Sequence, residues 1–558
     1  MVGQADWING QDPEVEQIVQ RIKERQPHKP PTTRTKARHK PDDDDLVAVH
    51  TDKVRTELHR EAGPVHVGYR FWKRIGIDQV LKEAELSEGA VALTCVMTMA
   101  RLIHPCSEHA MPNWIRETAL SDILGYSFEH LSHDALYRNL DRLYPNREVI
   151  ESKLVDREQD LFNLDRTVLL YDLTSTYFEG LALGNPKAKR GYSRDKRPDC
   201  KQVVVGLVIN RDGFPMAHEI FEGNRLDRST LGQMLDVLDA RVGLKEGQTV
   251  VVDRGMAFDD NLEQIRSRKL HYIVASRQSE RDKWLEEFED GQGFELVLRK
   301  PSPRNRFEKK SHVWVKEKTS GNEKHVLCIS SERIAKDRAI RQEQQKRFVS
   351  DLSKLEKRVN DGGLVNPVKI GEAIGRLKER YPRVARYYQV GYDEATKKLQ
   401  WVVDEVKRGK AEKLDGSYLL KTDRNDLSAD QAWRIYMLLT RAENAFRDMK
   451  SPLAERPIFH QIERRVDTHI FLCVLAYHLL VAIEKTLLDQ GIHASWGTVK
   501  ETLQTHQVST VVLPTDDGSV LRIRKGSTPE PEHKEIYDLL SIPHEIMKPV
   551  KTWTIEGS

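Results

Sequence analysis

From residue 56 to about 160, apolar residues recur at three- and four-residue intervals. The spacing predicts helices over 69–77, 77–84, 90–102, 111–124, 134–144 and 149–162. Pro105, Ser132 and Pro145 punctuate the region, and Ser132 is placed to cap the helix that follows it. At residue 167 the period shortens. The runs TVLLYDLTSTYF (167–178) and QVVVGLVIN (202–210) are β-branched and aromatic and read as strands. A third strand, 216–222, follows the turn signal Arg211-Asp212-Gly213, so the second and third strands are expected to form a hairpin. Helices at 229–242 and 258–269 then alternate with strands at 249–252 and 272–275. Strands in series followed by this alternation predict a mixed α/β sheet.

Beyond 280 the polar pattern takes over. Short strands are expected at 294–299, 312–317, 324–329 and 398–404, around a helical stretch at 331–360 dense in Lys, Arg, Glu and Gln. A strand at 417–421 leads back into apolar-periodic helix at 430–450. The run IFLCVLAYHLLVAI (470–483) is fourteen residues long. It falls short of the ~20 residues needed to cross a bilayer, and it reads as a buried core helix rather than a membrane segment. The remainder holds a helix at 495–504 and a hairpin turning at Thr515-Asp516-Asp517-Gly518. The expected division is a tail (1–55), a helical domain (56–165), an α/β core in two parts (166–280 and 431–490) around an inserted subdomain (281–430), and a C-terminal helix and hairpin (491–558).

Composition narrows the function. Among 558 residues, 89 Lys and Arg face 86 Asp and Glu, which leaves a net charge of +3. A polybasic protein is excluded, and any anionic partner has to be met by local patches. Two such patches exist. Residues 21–40 carry eight Lys or Arg against one Glu before the acidic run 42–45, and KAKRGYSRDKRPDCKQ (187–202) carries seven against two Asp. Each suits either a solvated segment or a grip on phosphate. The helical region, with Arg101, Arg116, Arg138 and Arg142 near helix tips, equally suits DNA binding or plain packing. The five cysteines lack a C-x-x-C, so neither a disulfide scaffold nor a zinc ribbon is expected, and their usage fits a reducing cytosol. The first residues lack the apolar segment of a signal peptide. No G-x4-G-K-[ST] occurs, so ATP is not an expected partner.

Three carboxylates stand out by position. Asp172 lies within a strand, sharing its face with Leu170, Thr174 and Thr176, where a charge is costly unless paired, protonated or bound to a cation. Asp253 closes the strand VVVD ahead of Arg254-Gly255, and strand ends are where α/β sheets present functional groups. Glu443 lies between Tyr436 and Lys450 at steps of seven, which on a helix returns all three to one stripe, with Arg447 on the same side. Ile435, Leu438, Leu439, Ala442 and Phe446 form a separate apolar stripe. For each carboxylate, a cap or an ion pair is the plainer alternative. Cys106 and His109 read as packing, and His469 and His478 as satisfied core histidines, with Asp467 a weak candidate partner for His469.

These residues resemble the DDE transposases of bacterial insertion sequences, and among them the group with the signature Y-x2-R-x3-E-x6-K. The segments that carry the resemblance are YDLTSTYFEG (171–180), GYSRDKRPDCKQVVVGL (191–207), EGNRLDRST (222–230), VVDRGMAFDDNLEQI (251–265), Tyr436-x6-Glu443-x6-Lys450 and RPIFHQIERRVDTHIFLCVLAYHL (456–479). It extends over about 60–555 and departs from the signature at one position, where Leu439 stands in place of arginine. The resemblance implies an RNase H-like mixed-sheet catalytic domain, an all-α N-terminal domain that binds DNA, and a mostly β insertion before the last catalytic helix. It implies that Asp172, Asp253 and Glu443 hold Mg²⁺, with Mn²⁺ able to substitute. Such a site suits phosphodiester cleavage at the ends of an element and transfer of the 3′-OH to target DNA. By the same resemblance Tyr436 and Lys450 contact the DNA backbone. Arg194, Lys196, Arg197, Lys201, Arg254 and Arg447 are the expected further DNA contacts. Double-stranded DNA is the expected partner, with a dimer on paired ends, in the bacterial cytosol. A nuclease of the same fold that does not join strands, and a catalytically silent DNA-binding relative, are the alternatives.

Overall fold

The computed structural model describes residues 46–299 and 312–555. The basic stretch 21–40 and the acidic run 42–45 lie outside the described residues. The chain divides into two units. The smaller gathers 46–54, 513–521 and 553–555. In it Val49 bridges Thr515, and the Thr515 N–H donates to the Ser519 carbonyl at 2.9 Å across the expected turn. The larger unit, 55–512 with 522–552, carries the rest.

Its centre is a sheet of nine strands among the described residues. The strands are β1 (Val168–Tyr177), β2 (Gln202–Asn210), β3 (Pro215–Glu222), β4 (Thr249–Val252), β5 (His271–Ala275), β6 (Glu295–Leu296), β7 (Val313–Ser320), β8 (Glu323–Ser330) and β9 (Ser417–Thr422). The order is β3-β2-β1-β4-β5-β9-β8-β7-β6. β1 pairs antiparallel with β2 and parallel with β4, and β4 pairs parallel with β5. Alternation along β1 sorts its side chains to two faces. Leu169, Tyr171 and Leu173 join a core with the helices Leu231–Val242 and Asp259–Ser267. Val168 and Leu170 join a second core with the helices Leu439–Lys450 and Glu463–Asp489.

The run 470–483 lies within Glu463–Asp489, a helix long and apolar enough to cross a membrane but buried within the protein. The helices between Gly63 and Phe162 share its core: Val65, Phe71, Val96, Leu140 and Leu154 are all fully buried in it. Ser132 caps His133–Leu143 as expected, its Oγ accepting from the Ala135 N–H at 3.3 Å.

Two expectations need correction. The insertion is not mostly β: its longest element is the helix Ser331–Asn360, followed by Pro367–Arg380. A long run of Lys, Arg, Glu and Gln favours helix, because such side chains lose little rotamer freedom there. Its strands divide: β6–β9 extend the central sheet through β5, whereas Tyr388–Asp393 and Lys398–Val403 pair antiparallel as a separate two-stranded sheet packed with the helices Ser331–Asn360 and Pro367–Arg380. The helix expected over 430–450 is two helices, Ala429–Met437 and Leu439–Lys450, which meet at Leu438.

Candidate active site

The β1–β4 register brings two of the carboxylates together. Tyr171 is the parallel partner of Val252, so Asp172 and Asp253, each one residue on, emerge side by side from neighbouring strands. Asp172 points to the face covered by Leu439–Lys450. Ala442, Ala445 and Phe446 anchor that helix in the core, which turns the exposed Glu443 outward between them. Asp172, Asp253 and Glu443 line one cavity of about 250 Å³ with Thr174, Arg194, Asp227 and Phe446.

The electrostatics of the cavity follow from this convergence. Burial pushes the Asp172 carboxyl up to about 7, and the charges of Asp253 and Glu443 push the same way. The Leu173 N–H, donating to Asp172 Oδ1 at 2.8 Å, and the Arg194 charge act against them. Tyr436 stands close to the same charges: its phenol is raised first by burial and next by Asp253. Three carboxylates converge here, and their mutual repulsion is relieved by a hard cation, so the residues fit divalent metal.

Asp227 carries no expected role in the sequence, although EGNRLDRST contains it. Its signal is the one that picks out Asp253: it lies just past a strand end, in the turn Asp227–Ser229 after β3. It holds Arg194, whose Nη2 lies 2.7 Å from Asp227 Oδ2.

The basic loop is largely occupied by acids. Arg197 pairs with Asp199 at 2.9 Å and Glu179 at 3.3 Å, and Lys187 with Asp467 at 2.9 Å. The Asp195 side chain is buried between Lys450, at 2.9 Å, and Arg456. Lys450 is therefore a buried, paired side chain that ties the loop to the helix of Glu443. Lys196, Lys201, Arg254 and Arg447 form no ion pair among the described residues, and Lys196, Arg254 and Arg447 are exposed. The Tyr436–Glu443–Lys450 stripe thus splits into a half-buried phenol, a carboxylate in the cavity and a buried cation.

The expected pairing of Asp467 with His469 is not formed: two residues apart on one helix, their side chains face different ways, and Lys187 and Arg147 take the carboxylate. His469 accepts from Arg101 Nη2 at 2.9 Å through Nδ1 and donates to the Glu455 carbonyl at 2.9 Å through Nε2. With Glu108 and His460 it makes a compact buried group, and both its ring nitrogens are satisfied. His478 meets Glu158 at 2.8 Å. Both histidines are core residues with partners.

A family model described as "Transposase DDE domain" matches residues 163–479, a span that holds all three carboxylates. The chain belongs to the transposase DDE-domain family. No curated protein matches it. Two solved transposase structures are similar to it. One is the piggyBac transposase synaptic complex with hairpin DNA, at 9% identity over 82% of each chain with a TM-score of 0.36. The other is the Mos1 transposase paired-end complex with left transposon end, at 11% identity over 31% of this chain and 66% of that one, with a TM-score of 0.15. In this family member the segment before residue 163 lies outside the match yet packs into the core of the matched region.

Proposed function

We propose that this family member is an active DNA transposase of a bacterial insertion sequence, with an RNase H-like catalytic core whose metal ligands are Asp172, Asp253 and Glu443. The observation that carries the reading is the convergence of these three carboxylates on one cavity. The strand order β3-β2-β1-β4-β5, with only β2 antiparallel to both its neighbours, supports the RNase H-like assignment. Bound Mg²⁺ or Mn²⁺ would supply charge neutralisation and activation of the attacking oxygen in phosphodiester cleavage and strand transfer. The chain's own residues do the rest. Arg194, held beside the cavity by Asp227, is placed to take a substrate phosphate. Arg254, next to Asp253, and Arg447, one helical turn beyond Glu443, offer cations without an ion pair among the described residues. Lys450 fixes the loop of Arg194 against the helix of Glu443.

The test uses DNA from both flanks of the coding sequence, where the element ends are expected. Wild type should nick these ends in Mg²⁺ and join the released 3′-OH to a second duplex. Asp172→Asn should bind the same DNA and do neither. Cutting by the variant would overturn the metal assignment. Cutting without joining by wild type would make the protein a nuclease, and binding without cutting a silent relative.

A further inference from the structure

Arg254, between the cavity-lining residues Asp253 and Gly255, also forms part of the wall of a second recess of about 640 Å³. The wall continues through the residues after β5, the first turns of Ser331–Asn360, the turn at 382–387 and the start of β9. The cations at its surface come from remote parts of the chain: Arg254, Arg333, Lys336, Arg383 and Arg386, all exposed. None of these five forms an ion pair among the described residues. The acids in the wall are already engaged. Asp415 takes Arg341 through two contacts of 2.5 Å, and Asp337 accepts the Gly416 N–H at 3.0 Å.

We propose that this recess holds an unpaired DNA strand next to the phosphodiester being cut. The identity of the anion rests on the transposase reading above; the recess itself rests on its own residues. The volume is that of a ligand pocket and accommodates about one or two nucleotides, not base-paired duplex. Two of the cations lie over buried tyrosines, Arg333 Cζ 4.2 Å from the Tyr418 ring centre and Arg386 Cζ 5.0 Å from that of Tyr387. The rings are covered, so the flat faces left for unstacked bases are those of the guanidinium groups themselves, which also bind phosphate. Arg254 sets the direction: a strand leaving the carboxylates passes it first.

The experiment measures binding of a short oligothymidylate, a blunt duplex of equal length and inorganic tripolyphosphate to the full chain, without divalent metal, over a range of salt. For the single strand, Lys336→Gln with Arg383→Gln should make the salt slope shallower by about 1.4, at about 0.7 per lost phosphate contact. The duplex slope should stay as in wild type. Should the double variant fail to fold, each single variant should show half the effect. An unchanged single-strand slope overturns the proposal, and so does an equal change for the duplex. Tripolyphosphate that binds through these residues without displacing the oligonucleotide makes the recess a site for a small polyphosphate instead, and likewise overturns it. If wild type fails to cut flanking DNA but the slope change appears, the transposase reading falls and the recess stands; the converse removes the recess alone.

Discussion

Asp172 concentrates at one residue the conflict between fold and chemistry. Its strand needs a side chain compatible with a buried face, and the cavity needs a carboxylate. The folded chain holds its proton at about pH 7, well above the ordinary carboxylate range, because burial and two neighbouring carboxylates disfavour the charge. A group whose proton is held more tightly when folded stabilises fully below its unfolded pKa, near 4, and loses that contribution as pH rises through 7. Metal-free wild type should therefore lose up to about 4 kcal/mol relative to Asp172→Asn between pH 4 and 8. Mg²⁺ should restore much of it above pH 7 in wild type and nothing in the variant. Thermal melts of both proteins across that range, with and without Mg²⁺, give the answer. Parallel pH profiles without metal would mean that Asp172 is not pressed by its neighbours.

At the scale of elements, the strands of the α/β core were legible because β-branched runs with period two leave few other options. Those runs do not say that β1 pairs parallel with β4, the register that sets Asp172 beside Asp253. Two further features were not legible. Pairing of β9 with β5 joins residues about 150 positions apart, and no local pattern encodes which sheet edge an insertion will extend. The break at Leu438 is equally silent, since Ile435, Leu438, Leu439 and Ala442 keep helical spacing through it. The break matters for the signature position. Leu439 opens the second helix and is 6% exposed, packed into the core below Glu443. Restoring arginine there places a charge in that core without a partner. Leu439→Arg should lower stability by about 2–4 kcal/mol, read from the denaturant midpoint at constant m. An unchanged midpoint with tighter DNA binding would show instead that residue 439 can turn out to the substrate.

On the scale of the whole molecule, the family match begins at residue 163, which invites cutting the chain there. The packing opposes it. Helix Glu463–Asp489 is covered on one side by the sheet and on another by the helices between Gly63 and Phe162, so its apolar run 470–483 is buried throughout. Buried polar groups cross the same boundary. Glu151 meets His218 at 2.5 Å and Arg241 at 2.8 Å, Glu158 meets His478 at 2.8 Å, and Arg101 donates to His469. Removing residues 1–162 would expose the apolar flank of this helix, leave Arg241 with Glu219 alone and leave His218 and His478 without their carboxylates, each histidine a loss of about 1–3 kcal/mol before the apolar term is counted. Fragment 163–558 should accordingly be insoluble or bind a hydrophobic dye without a cooperative melt, whereas the full chain melts cooperatively. The expected failure lies in the fold, so it should appear without DNA or metal. A soluble fragment with a sharp transition would show that the helical segment is a docked accessory. In that case the exposed Arg116, Arg138 and Arg142 regain their standing as a separable DNA-binding face, while Arg101 stays buried against His469. A fragment that fails assigns those helices first to the core that holds Glu443 against β1, because the same buried helix supports both.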